Sequence, residues 1–290
     1  MKIIRATQLG MCFGVKDAIT LALDTARHEP VTVLGDLVHN ATVLKELHAA
    51  GINFEQRPES VHTDTVLITA HGASAHMINE TRQRGLKVLE ATCPLVHFAH
   101  RSLHKLAAQG FHPVVIGIQQ HVEVRGITGD FADIDVILTA EDIAQMKPRA
   151  KFGVISQTTQ PIEKVRRLVR QLREHFPMAE VQFADTVCQP TKQRQTAAIE
   201  LAQQSNVVVV IGGAHSNNTR ELVRTCSEFC DRVHHIETEA ELTADWFQPG
   251  DTVGITAGTS TPDNVIEAVE HRLQALAESL AQAPHLAVNA

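Results

Sequence analysis

Three cysteines carry the most chemistry in this chain: Cys12, Cys93 and Cys188, each where a short β-type run gives way to a helix-like stretch. Residues 88–91 lead through Thr92 to Cys93-Pro94. Residues 2–7 lead to Gly10-Met11-Cys12-Phe13-Gly14, and residues 181–187 to Cys188-Gln189-Pro190. A thiol at a helix start meets unpaired backbone N–H groups and the positive end of the dipole, which favour thiolate. Proline in the first turn removes only a donor that had no partner. Three thiols in one kind of junction read as three arms of one site. Buried packing is one alternative. Zinc is another, although its ligands are usually closely paired and no Cys-x-x-Cys accompanies these three. An iron–sulfur cluster normally takes four cysteines, so three would leave one iron open. Such an iron is a Lewis acid and an electron donor, suited to binding and removing a hydroxyl group.

Other strand-like runs deliver further polar residues. Residues 31–35 are followed by His39-Asn40, 66–70 by His71-Gly72, 113–118 by His121-Val122-Glu123, and 153–156 by Gln157-Thr158-Thr159. Two more runs enter the loops 212–219 and 257–262, which place small residues and hydroxyls before helices, where oxyanions bind. Ser260 or Thr261 is equally placed to be a simple N-cap before Pro262. In open parallel sheets the ligand lies at the carboxyl ends of the strands. With His39, His71 and His121 on that edge, the pattern reads as a phosphate or diphosphate pocket. Glu123, in a loop two residues from His121, is the best general acid; the alternative is a solvated glutamate at a helix start. Thr158 or Thr159 bonds a substrate hydroxyl or merely caps a helix at Pro161. Cys226 and Cys230 read as core packing. His97, His100 and His104 share a helix face and read as a wet stripe with no carboxylate nearby.

The elements that must position these residues follow one rhythm. Apolar, β-branched runs (3–7, 31–35, 66–70, 88–91, 113–118, 136–139, 153–156, 181–184, 207–211, 233–236 and 253–256) alternate with amphipathic stretches such as 15–26, 94–108, 162–175, 190–204 and 262–281. This predicts an α/β fold with mostly parallel sheets. A chain of 290 residues suits two or three α/β units. The cysteine spacing divides it into modules over 14–93, 94–187 and 1–13 with 188–281, followed by a frayed tail over 282–290. A net charge of −7 speaks against nucleic acid as a partner. No run approaches a membrane span, and the N-terminus lacks a signal-peptide build. Five cysteines without disulfide-framework spacing point to a reducing cytoplasm.

The motifs also occur in a telling order: Met11-Cys12-Phe13-Gly14-Val15, Leu37-Val38-His39-Asn40, Ala70-His71-Gly72, Ala91-Thr92-Cys93-Pro94-Leu95-Val96, His121-x-Glu123-Val124-x-Gly126, Gln157-Thr158-Thr159, Cys188, Ser216-x-Asn218-Thr219 and Ala257-Gly258-x-Ser260-x-Pro262-Asp263. From about residue 2 to 270, the set resembles the 4-hydroxy-3-methylbut-2-enyl diphosphate reductase family, which catalyses the last step of the methylerythritol phosphate route to isoprenoids. The resemblance implies three similar α/β modules in a trefoil around one [4Fe–4S] cluster per chain, with Cys12, Cys93 and Cys188 as ligands. It implies that His39, His71, His121, Ser216, Asn217, Asn218 and Ser260 hold an allylic diphosphate. Glu123 then feeds protons, Thr158 holds the substrate hydroxyl and Glu123, and ferredoxin or flavodoxin supplies electrons. The chain departs from the family pattern at Asn217, where Ser or Gly is usual, and at Val122, where proline is common.

Overall fold

The computed structural model describes residues 1–282, in which strands and helices alternate throughout. The chain opens with β1 (Lys2–Arg5), α1 (Phe13–Ala26), β2 (Val31–Leu34), α2 (Ala41–Ala49), β3 (Asn53–Glu55), β4 (Thr65–Ile68), α3 (Ala75–Gln83) and β5 (Lys87–Glu90). It continues with α4 (Pro94–Ala108), β6 (His112–Ile116), α5 (Val122–Thr128), β7 (Asp135–Ile137), α6 (Ala140–Gln145), β8 (Lys151–Ser156), α7 (Ile162–His175) and β9 (Glu180–Phe183). It ends with α8 (Gln189–Ala202), β10 (Val207–Ile211), α9 (Asn217–Ser227), β11 (Val233–Ile236), β12 (Thr252–Ala257) and α10 (Asp263–Gln282).

All the strand pairings among the described residues are parallel, and they form three four-stranded sheets ordered β3-β2-β4-β5, β7-β6-β8-β9 and β1-β12-β10-β11. The three share one topology once β1 is counted as the fourth strand of its sheet: second, first, third, fourth. The crossover direction therefore reverses between β2 and β4, between β6 and β8, and between β10 and β12, which is where open α/β sheets bind ligands. In each sheet the fourth strand runs on to a cysteine: β5 to Cys93, β9 to Cys188 and β1 to Cys12. The sheets fall within residues 14–93, 94–187 and 1–13 with 188–281. By compactness the chain divides in two: residues 12–192 hold the first two sheets, and residues 1–11 with 193 onward hold the third.

Strand burial follows from position. The inner strands β2, β4 and β10 are buried at every residue, whereas the edges β1, β3, β5 and β9 are part-exposed. Parallel sheets are covered on both faces, so their inner strands read as unbroken apolar runs. In the 12–192 unit, Val114, Ile116 and Val154 pack against Val165 and Leu172 of α7, while Val115 and Ile155 pack against Ala99, Leu103 and Leu106 of α4. In the other unit, Val209 and Ile211 meet Val269 and Leu273 of α10; Val208 and Val210 meet Leu201 of α8 and Leu222 of α9. Each Val, Leu or Ile among them contributes about 1.5–3 kcal/mol by burial. Cys226 and Cys230 belong to this core, as their spacing predicts.

Helix α4 lies so close to β8 that a Cβ on Gly153 would stand 2.8 Å from Leu106 Cβ and 2.9 Å from Phe111 Cβ. Gly153→Val is expected to destabilise the protein by about 1–3 kcal/mol, read as a lower urea midpoint. An unchanged midpoint would contradict that close approach. Two expectations need amendment. The edge strand β3 has no counterpart among the predicted runs, and α10 extends through Gln282, leaving residues 283–290 of the predicted frayed tail outside the described residues.

Candidate functional site

The cysteines come first because the fold repeats their setting. Cys12 is the N-cap of α1 and Cys93 the N-cap of α4; neither caps through its side chain. Cys188 directly precedes α8, its N–H donates to the Thr158 carbonyl at 3.0 Å, and its Sγ lies 3.1 Å from Thr191 Oγ1. All three are half-buried free thiols. The first turns of α1 and α4 touch: a Cβ on Gly14 would stand 2.5 Å from Cys93 Sγ, so only glycine leaves room there.

The electrostatics correct one expectation. The N–H groups of Leu95 and Val96 favour a Cys93 thiolate, but burial outweighs them and its pKa is raised. Burial pushes Cys188 up to about 11, against opposing hydrogen bonds from Thr191. Helix N-termini alone therefore do not ionise these two thiols, because desolvation penalises the charged form more strongly than the N–H groups favour it. Positive charge, such as a bound metal would bring, would reverse that balance.

Beyond β2, β4 and β6, three imidazoles gather. The His39 and His71 ring centroids are 4.2 Å apart, His39 and His121 5.2 Å, and His71 and His121 5.8 Å. Burial, then the neighbouring His39 and His121, hold His71 well below the ordinary histidine pKa, so it is neutral near pH 7. His121 is the N-cap of α5, and its Nδ1 accepts the Glu123 N–H at 3.2 Å. That bond places the proton of a neutral ring on Nε2. Asn40 caps α2 by accepting the Val43 N–H at 3.1 Å, which fixes the turn after His39.

Glu123 sits in the first turn of α5, not in a loop, and is only 1% exposed, which overturns the solvated alternative. Its Oε1 accepts the Thr158 N–H at 2.6 Å and its Oε2 accepts from Thr158 Oγ1 at 3.0 Å. Burial raises its pKa to about 7, while the two Thr158 bonds pull the other way. Thr158 is therefore not a helix cap; Pro161 occupies the N-cap of α7, with no side-chain capping bond. Further residues brace this turn, Thr186 among them, which sequence reasoning passed over. Thr186 Oγ1 donates to the Ser156 carbonyl at 2.6 Å and accepts the Ser156 N–H at 2.8 Å, and Gln157 Oε1 accepts the Ile118 N–H at 3.1 Å. Thr191, which bonds Cys188, is likewise absent from the motifs, although its place three residues beyond Cys188 at a helix start is a signal that could have found it.

In the other unit, Ser216 caps α9, its Oγ accepting the Thr219 N–H at 3.3 Å. Asn218 Oδ1 accepts the Thr259 N–H at 3.0 Å and so ties the loop after β10 to the loop after β12. Ser216, Asn217, Asn218 and Ser260 are all buried. The Asn218 Nδ2 amide is enclosed without a hydrogen-bond partner among the described residues. A donor left that way costs about 1–3 kcal/mol, and an oxyanion would relieve it.

Fold and site together define an α/β protein of three parallel sheets whose fourth strands each lead to a cysteine, with a buried acid and an imidazole cluster at the strand ends. Comparison narrows the class. The LytB protein family profile matches residues 3–274, and the chain belongs to that family. It is 38% identical over 275 residues to the 4-hydroxy-3-methylbut-2-enyl diphosphate reductase of Trichlorobacter lovleyi, covering 94% of this chain and 98% of that one. It is 36% identical over 282 residues to the Aquifex aeolicus reductase of the same name, covering 95% and 97%. The solved E-1-hydroxy-2-methyl-but-2-enyl-4-diphosphate reductase of Plasmodium falciparum has the same fold, with TM-score 0.89 at 24% identity over 94% of this chain and 88% of that one. A solved (E)-4-hydroxy-3-methyl-but-2-enyl diphosphate reductase, the terminal enzyme of the non-mevalonate pathway, aligns with TM-score 0.69 at 36% identity over 94% and 99%.

Proposed function

We propose that this chain performs the two-electron reductive dehydroxylation of 4-hydroxy-3-methylbut-2-enyl diphosphate to isopentenyl and dimethylallyl diphosphates, with one [4Fe–4S] cluster on Cys12, Cys93 and Cys188. The observation that carries the reading is Glu123: a buried carboxyl, fixed by Thr158 and poised near pH 7, in the unit that holds all three cysteines. The thiols fit such a cluster. Each is free at a helix start, and Gly14 clears space beside Cys93. Among the described residues no three His, Cys, Asp or Glu side chains gather closely enough for a single ion, but cluster thiolates bind separate irons and need not converge on one point. When bound, the cluster supplies electrons and an iron free of protein thiolate that acts as a Lewis acid.

The chain's own residues do the rest. Breaking the C4–O bond with two electrons consumes two protons: one completes the leaving water and one forms the new C–H bond. Glu123 is about half protonated near pH 7 and delivers a proton, then refills from solvent. Thr158 Oγ1 holds that carboxyl and the substrate hydroxyl. His39, His71 and His121 hold phosphate oxygens, His121 through its Nε2–H and His71 once the ligand's charge has protonated it, since the single N–H of the neutral ring serves the Asp36 carbonyl; Ser216, Asn217, Asn218 and Ser260 hold phosphate oxygens as well. Ferredoxin or flavodoxin delivers the electrons. Among the described residues no helix is long and apolar enough to cross a membrane; the cytoplasmic setting is proposed from cysteine usage.

Asn218→Asp replaces the enclosed Nδ2 donor with an acceptor. It is expected to raise KM about tenfold or more with a smaller change in kcat. Steady-state kinetics with an unchanged KM would remove Asn218 from the diphosphate contacts. The overall reading is examined by anaerobic turnover with reduced methyl viologen and analysis of the products. Both five-carbon diphosphates are expected; an iron-loaded, folded protein that returns the substrate unaltered would overturn it.

A further inference from the structure

A cleft of about 510 Å³ lies outside the site described above, between α3, the end of β5 and the outer face of α4. Its apolar lining includes Ala73, Ala75 and Ile78. Its two carboxylates are already engaged. Asp130 accepts the Ala75 and His76 N–H groups at 2.9 and 3.0 Å and faces His104 Nε2 at 3.7 Å. Glu90 accepts Arg82 Nη2 at 3.0 Å and faces His97 Nε2 at 3.9 Å. These carboxylates, one ending the strand just before α4 and the other following α5, correct the expectation of a bare histidine stripe on α4.

What the cleft leaves over is mainly donors. Arg101 forms no ion pair among the described residues, and the Asn79 amide lines the same space. Thr92 Oγ1 and His100 Nε2 are enclosed, each without a hydrogen-bond partner among the described residues. Burial pushes His100 down to about 4, so at neutral pH the ring is uncharged and still offers one N–H. Enclosed polar groups in native proteins are nearly always bonded, so these need an occupant. Water would satisfy the hydroxyl and the ring; an anion with an apolar body would in addition gain a charge-assisted bond from the exposed Arg101 and cover the apolar wall.

We infer that this cleft binds a small organic oxyanion, a carboxylate or phosphate ester on a short apolar body, with Arg101 and Asn79 on its charged end and Thr92 and His100 beneath. The apolar body lies against Ala73 and Ile78, and one charge-assisted bond to Arg101 supplies much of the selectivity. The assignment stands independently of the reaction proposed above, because none of these four residues belongs to the cysteine, histidine or glutamate set. Its position nonetheless matters: Thr92 precedes Cys93, and a Cβ on Gly72, next to His71, would meet Thr92 Cγ2 at 3.0 Å and His100 Nε2 at 3.5 Å.

The test is calorimetric titration of the anaerobically purified full-length protein with isovalerate and with isobutyl phosphate. At least one probe is expected to bind with a Kd of about 1 mM or tighter, and the tighter one identifies the head group. Arg101→Ala, at an exposed position, is expected to weaken that binding about tenfold or more while leaving the urea midpoint and the basal turnover unchanged. Asn79→Ala is expected to weaken it by a smaller factor. No heat from either probe up to about 20 mM would mean water fills the cleft and would overturn the assignment. Binding that is equally tight in both variants would place the probes elsewhere, the diphosphate contacts included, and would overturn it as well.

Discussion

Glu123→Gln is expected to keep its fold and iron content while losing turnover by about 10²–10⁴-fold, the usual worth of a positioned general acid. The amide keeps the shape of the carboxyl: its oxygen still accepts the Thr158 N–H, and its NH2 faces Thr158 Oγ1, at the positions where Glu123 bonds at 2.6 and 3.0 Å. What it lacks is a proton to give. The wild-type rate should fall as pH rises through about 7, because burial has raised the acid that far and the protonated form is the active one. The Thr158 hydroxyl stabilises the charged form, so Thr158→Val should move that limb to higher pH. Near-normal turnover in Glu123→Gln, or a rate indifferent to pH between about 6 and 8, would remove Glu123 from the proton path.

Cys93→Ser is expected to purify with little iron and to lose at least about 100-fold in turnover, more than the cost usually seen on altering groups that only support a ligand. Serine is nearly isosteric, but its hydroxyl does not ionise to a soft thiolate ligand. Cys226→Ser is the informative control. That sulfur is buried in the core of the other unit, and swapping it for a hydroxyl should cost about 1–3 kcal/mol of stability with iron and turnover intact. Iron content equal in Cys93→Ser and the wild type would refute the ligand assignment.

The alternation of β-branched runs and amphipathic stretches made the parallel α/β architecture legible, because inner strands such as β10 (Val-Val-Val-Val-Ile) are buried on both faces and must be apolar throughout. Strand β3 escaped notice because an edge strand reading Asn-Phe-Glu needs neither β-branching nor continuous apolarity. The junction cysteines were visible through their Pro and Gly neighbours, but their ionisation was not. Desolvation depends on what packs around a thiol, and that outweighed the helix N-terminus at Cys93 and Cys188. Nearness to His121 singles out Glu123 in the sequence, but its contact with Thr158, 35 residues away, is implied only by the family resemblance, because spacing does not show which strand ends meet. The His121 side chain begins α5 by accepting the Glu123 N–H, a start signal that the usual Ser, Thr, Asp or Asn cap does not announce. Likewise, Asp130, the partner of His104, follows α5, where sequence spacing does not reveal it, whereas Glu90, the partner of His97, stands only seven residues before it.

The most direct measurement is the electron stoichiometry of the anaerobically purified protein after iron and sulfide have been counted. About four iron and four sulfide per chain are expected, with two electrons withdrawn from reduced viologen for each 4-hydroxy-3-methylbut-2-enyl diphosphate consumed. Substrate consumption without electron uptake, or a folded protein that holds no iron after reconstitution, would contradict the account.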